Sequence, residues 1–196
     1  DRTLDGLCCH KYLVIQVEGE MALVGLFNAG ISDAQFFNFD DDPALEVMFH
    51  DSIFAGWHRD LKHSPMPVIF QKFDPETGLF RTALDLRKRS DWDLDAAVAE
   101  AAIIWQNEQN FSYNSWNTRL VAAMVEMIYA GQLELACQFF RLAWPIQKEG
   151  HEDPLVFLDP FVGRMKASDY WADVAAFNGQ HPDDPVCGSV AQADFT

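Results

Sequence analysis

The chain has 196 residues, of which 49% are hydrophobic and 13% aromatic, enough for a folded domain with a real core and too apolar for a disordered acidic tail. Thirty Asp and Glu against fourteen Lys and Arg leave a net charge of -16, which opposes a phosphate backbone because nucleic-acid affinity rests on cationic side chains that release counterions. No apolar run approaches the ~18 residues of a membrane span, so neither nucleic acid nor membrane is an expected partner, whereas a basic protein or peptide would be attracted by the same field.

The first elements have the period of strands. "KYLVIQVEGEMALVGLF", residues 11–27, is rich in β-branched and aromatic residues and is punctuated by Glu18-Gly19, which predicts a hairpin. "FNFDDDP", residues 37–43, sets three carboxylates side by side. It predicts an exposed loop in which a divalent ion, a basic partner or solvent relieves the repulsion, and Asp40, Asp41 and Asp42 are the candidate partner-binding residues. "ALEVMF", residues 44–49, alternates Leu45, Val47 and Phe49 as a further strand, and "VIFQKFDPETGLFRTALDL", residues 68–86, predicts a second hairpin around Asp74-Pro75-Glu76-Thr77-Gly78.

Between these strands lies "HDSIFAGWHRDLKH", residues 50–63, with three of the six histidines. Ile53, Phe54, Trp57 and Leu61 share a face if residues 51–62 are helical, with Asp51 as the N-cap. On such a helix His58 and His63 stand about 140° apart and Asp51 lies about 10 Å along the axis from His58, so neither pair clasps one ion. Asp60 and His63 meet, but two ligands do not make a metal site. Only a chain folding back at His63-Ser64-Pro65 towards His50 would assemble a third.

From Asp91 the period approaches four. Leu94, Val98, Ala101 and Trp105 form one predicted stripe, and Trp116, Leu120, Ala123 or Met124, and Met127 form the next. "DWDLD", residues 91–95, opens like a calcium loop, but position 96 is Ala where the turn needs Gly and position 102 is Ala where the loop needs Glu, so these carboxylates are read as helix caps. Gly131 separates two helices, Pro145 ends the third, a short helix falls near 167–177, and "NGQHPDDPVCGS" reads as an extended tail. Gly131, Ala136, Phe140 and Ala143 have a spacing similar to the turn and second helix of a tetratricopeptide repeat. The similarity covers fewer than thirty residues and has no second copy, so it implies a close helix hairpin and not a solenoid.

Strands first and helices after predict an α+β fold: an antiparallel sheet of about four to five strands in two hairpins, then three to four helices. Residues 1–90 form the mainly β part with one short helix and residues 91–196 the mainly α part, together one compact unit. Cys8, Cys9, Cys137 and Cys187 have no zinc spacing and imply no disulfide framework, and Cys137 in "LELACQFF" reads as a buried inert thiol. The sequence starts at Asp1 without a Met or a charged-then-apolar leader, which leaves a targeting segment removed or never present, and a cytoplasmic location is the default. The sequon Asn110-Phe111-Ser112 matters only for a secreted protein.

Searches for local catalytic signatures end without a G-x-S-x-G, a phosphate-binding loop, a G-x-G-x-x-G or an H-E-x-x-H; His151-Glu152 lacks a second histidine, and Cys9-His10 is mere adjacency. No catalytic, cofactor-binding or metal residue and no cofactor is assigned. The expected function is that of a non-catalytic acidic protein that binds a protein or peptide, as an accessory subunit presenting a peptide to an enzyme by strand addition or as an inhibitor of a basic protein. The alternative is an enzyme with a non-contiguous His and Asp site, metal or acid–base, near His50 and His63; the balance leans away from an enzyme.

Overall fold

The computed structural model describes residues 10–17, 21–58, 60–87, 91–108, 118–144 and 154–188. It is α+β, with two antiparallel sheets in the N-terminal half and five helices after them among the described residues. The chain divides into two compact units, residues 1–52 with 66–88 and residues 53–65 with 89–196.

In the first unit, β1 (Lys11–Gln16) pairs with β2 (Ala22–Asn28) as the predicted hairpin; its connection, Glu18-Gly19 included, lies outside the described residues. The second sheet runs in the order β3 (Gln35–Phe37), β4 (Glu46–His50), β5 (Val68–Asp74), β6 (Leu79–Thr82), a meander whose β5–β6 turn closes through Gly78 N–H donating to Asp74 O at 2.8 Å, with Gly78 at φ 67°. The predicted single sheet is therefore two, and β3 is an addition. Its three residues are all exposed, so no burial pattern marked it. Alternation in β4 does its expected work, burying Val47 and Phe49. The inner face of the hairpin meets this sheet through aromatic rings, with Phe27 centred 4.9 Å from Phe49 and 5.4 Å from Phe80. Gly25 lets the strands close up, since a Cβ there would stand 3.1 Å from a ring carbon of Phe73.

The second unit contains α1 (Leu94–Glu108), α2 (Thr118–Tyr129), α3 (Leu133–Ala143), α4 (Pro154–Lys166) and α5 (Trp171–Phe177). Asp93 caps α1 as expected of the aspartate run, accepting from Ala96 N–H at 2.8 Å. The stripe predicted for α1 is displaced: Ala97, Ala101 and Ile104 are buried, whereas Leu94 and Val98 are exposed. In α2 the predicted Leu120, Ala123, Met124 and Met127 are buried; Trp116 lies outside the described residues. The α2–α3 hairpin turns at Gly131, φ 78°, and Ala136, Phe140 and Ala143 pack inside it. Asn178 then satisfies free groups at both helix ends, accepting from Leu133 N–H and donating to Ile128 O, each at 2.8 Å. α4 was not foreseen because Pro160 lies inside it, where the ring removes a helical donor and ordinarily argues against a helix.

Two expectations are corrected in this unit. Residues 51–62 are not one amphipathic helix. Gly56 and His58 adopt left-handed φ values of 70° and 54°, and only Leu61–His63 forms a short 3-10 turn, capped by Asp60 rather than Asp51. Phe54 instead inserts into the helical unit, 5.5 Å from the ring of Phe161, and Arg164 Nε donates to Ile53 O at 2.5 Å. Cys137 is not an inert thiol either: it forms a disulfide with Cys187, fifty residues away, which holds the C-terminal segment against α3. Trp171 Nε1 donating to Pro182 O at 2.9 Å and Lys166 Nζ donating to Asp184 O at 3.2 Å tie down the same segment, which is turned rather than extended.

Candidate functional site

The acidic loop between β3 and β4 is organised around a cation. Register places Glu46, at the start of β4, opposite Lys72 in β5. Lys72 Nζ reaches Asp40 Oδ2 at 2.7 Å and Glu46 Oε1 at 3.2 Å, and also pairs with Asp42. Glu46 is fully buried. Its Oε2 accepts from Phe39 N–H at 2.5 Å, while its Oε1 has the ion pair with Lys72 but no hydrogen bond. The loop backbone is held by the same carboxylates, with Asp42 N–H donating to Asp40 Oδ1 at 3.2 Å and Ala44 N–H to Asp42 Oδ1 at 2.8 Å. The Lys72 ammonium holds the Asp40 carboxyl below the usual carboxylate range, and the hydrogen bonds that Lys72 donates to Asp40 and then Asp42 push Lys72 above the usual lysine range.

Oxygen atoms of Asp40, Asp42 and Glu46 lie within 4.8 Å of one another, a donor set that suits a hard divalent ion. Lys72 supplies one positive charge against these three carboxylates. Asp40 and Asp42 are engaged internally, and Asp41, exposed and at φ 63°, is the residue of the three that faces outward without such a pairing to Lys72.

Among the described residues, His50 and His63 each make contacts inside their own unit. His50 belongs to the sheet unit and His63 to the helical unit. His63 Nδ1 meets Asp60 Oδ1 at 2.6 Å, as their spacing predicts, on the exterior. His50 Nδ1 stands 3.3 Å from Ser32 Oγ, a contact the sequence did not suggest. Ser32 Oγ also accepts from His50 N–H at 3.1 Å and lies 3.0 Å from Asp33 O. Its bonding therefore ties a loop to β4, and burial holds the His50 pKa below its ordinary value. A shallow concavity beside β5 and β6 is lined by Lys72, Asp74, Arg81 and Asp85 and contains no histidine.

The outer face of the hairpin is different in chemistry. Leu13 is paired across the ribbon with Leu26 and Ile15 with Leu23, while Val17 and Met21 follow at the ends towards the connection. These six side chains are 48 to 77% exposed. Leu23 and Leu26 are three apart and would fall on opposite faces of a regular strand. The register shift between Val14 and Ile15 inserts one extra residue in β2 and brings both to the same side. The sequence contains the alternation Leu13, Ile15, Val17, but the bulge that completes the stripe has no local signature.

Comparison with family models, with curated proteins and with solved structures finds no match.

Proposed function

We propose that this α+β protein is a non-catalytic binding subunit that engages another protein or peptide through the outer face of the β1–β2 hairpin. The observation that carries the reading is the stripe of six exposed apolar side chains on that face. Soluble proteins seldom leave contiguous apolar area of this extent open to water without an interaction to cover it. The net charge of -16 argues against nucleic acid and favours encounter with a basic surface. No helix among the described residues is long and apolar enough to cross a membrane. The Cys137–Cys187 bridge supports an oxidising compartment over the cytoplasmic default. The alternative is an enzyme with a site near His50 and His63, whose described contacts are Ser32 for His50 and Asp60 for His63.

The test is affinity purification from the native source with the wild-type chain and an Ile15→Lys/Leu23→Lys variant of unchanged far-UV circular dichroism. A protein retained by the wild type and lost by the variant is expected. Equal retention by both would remove the hairpin from the binding surface.

A further inference from the structure

We infer that the surface covering the hairpin stripe is the same stripe of a second copy, so that the protein is a two-fold symmetric homodimer. The inference rests on the binding face proposed above and names its occupant. Three features lead to it: area, self-complementary shape and the distribution of charge.

The six side chains expose on the order of 700 Å² of apolar surface, so two copies face to face bury on the order of 1,400 Å² in total, within the range of specific interfaces. A two-fold axis through the middle pair, Ile15 and Leu23, lays one ribbon antiparallel on the other. Leu13 and Leu26 of one copy then meet Val17 and Met21 of the other, and every exposed apolar residue of the stripe is covered. A lone basic partner would find no carboxylate on the described hairpin residues 10–17 and 21–28, whose ionisable side chains are His10, Lys11 and Tyr12. Against this stands the mutual repulsion of two chains of charge -16, which is long-ranged and screened by salt.

The prediction is specific in sign. Sedimentation velocity of the full chain from 1 to 100 μM should show twice the monomer mass, with the dimer strengthened about tenfold or more as salt rises from 20 to 300 mM, because screening removes the net repulsion; binding to a basic partner would weaken instead. Ile15→Glu, which meets its own copy near the axis, should raise the dissociation constant at least a hundredfold. Should Ile15→Glu fail to fold, Val17→Lys at the ribbon end serves as the second variant. A dimer indifferent to these substitutions overturns the inference. A monomer at 100 μM also overturns it, and the dye 8-anilinonaphthalene-1-sulfonate separates two cases: fluorescence lost in Ile15→Glu leaves the hairpin as a binding face for another protein, and fluorescence unchanged by it removes that reading as well.

Discussion

Reducing the Cys137–Cys187 disulfide is expected to destabilise the helical unit and leave the sheet unit untouched. The bridge spans a sequence separation of fifty, and closing a loop of this length restricts the unfolded chain by about 4 kcal/mol at 25 °C in the chain-entropy account. Part of this is offset, because Cys187 is held at φ 56°, a left-handed conformation that costs a non-glycine residue roughly 1 kcal/mol. A net effect of about 3 kcal/mol corresponds to a fall in Tm of roughly 12 °C for a unit of about 120 residues. The readout is built into the sequence: every Trp lies in 53–65 or 89–196, so intrinsic tryptophan fluorescence follows the helical unit alone. Thermal unfolding of a Cys8→Ser/Cys9→Ser variant, with and without a phosphine reductant, confines the response to the Cys137–Cys187 bridge. Mass mapping of a non-reducing digest should recover the peptides of Cys137 and Cys187 as one species. A Tm unchanged after thiol titration has verified reduction would refute the loop-closure reasoning, and free Cys137 in protein from its native compartment would refute the oxidising location.

Other expectations follow from single contacts. Gly131→Ala should destabilise by roughly 1–3 kcal/mol in urea titrations, because Gly131 is at φ 78° and a Cβ there would stand 2.8 Å from a ring carbon of Phe177; the double variant with Phe177→Ala should recover the steric part but not the backbone part. Acid should weaken the sheet unit through Asp40, held down by Lys72, and through Asp74, held down chiefly by Thr77. Between their depressed folded values and the ordinary carboxylate value of about 3.9 the unfolded chain binds protons that the folded chain does not, so this contribution is complete above that value and lost as pH falls through the folded one. Lys72→Met should remove the Asp40 share of that dependence, and an identical acid slope in wild type and variant would contradict the assignment. Within the loop, Asp41→Asn should change stability by less than about 0.5 kcal/mol, since Asn tolerates the left-handed backbone, whereas Asp40→Asn and Asp42→Asn should each lower it in chemical denaturation; a rise for all three would mean that repulsion and not the lysine governs the loop.

What the sequence discloses about this fold follows from how local each cause is. Both hairpins were legible because alternation and turn residues lie within a dozen positions of one another, and Gly78 indeed supplies the positive φ that the β5–β6 turn demands. The break at Gly131 was legible for the same reason. The segment 51–62 misled because Ile53, Phe54, Trp57 and Leu61 match a helical period, yet Phe54 is buried by a ring in α4 more than a hundred positions away. Tertiary packing set its conformation, with Gly56 and His58 as the permissive points. In α1 the predicted Ala101 is buried, but it shares the inner face with Ala97 and Ile104, not with Leu94 and Val98, and the small Ala97 and Ala101 suit close packing against α3.

The candidate surfaces show the same division between composition and placement. Three adjacent aspartates announce an acidic loop, but whether that loop is free for a partner depends on what stands across the strand. Glu46 opposes Lys72 only because β4 and β5 pair in one register; a shift by a single residue would put Lys72 on the other face and leave a buried carboxylate without its counter-ion. Register therefore ties two of the three aspartates of the most conspicuous charge run, with Glu46, to one lysine. A one-residue irregularity does the opposite to the hairpin, turning an ordinary alternation into a continuous apolar stripe by moving Leu23 onto the side of Leu26. Charge density is thus a poor guide to the contact surface in this protein. Its long-range field adjusts how fast and at what salt two molecules meet, and on the binding face proposed above the apolar stripe from Leu13 and Leu26 to Val17 and Met21 has the area to hold them together.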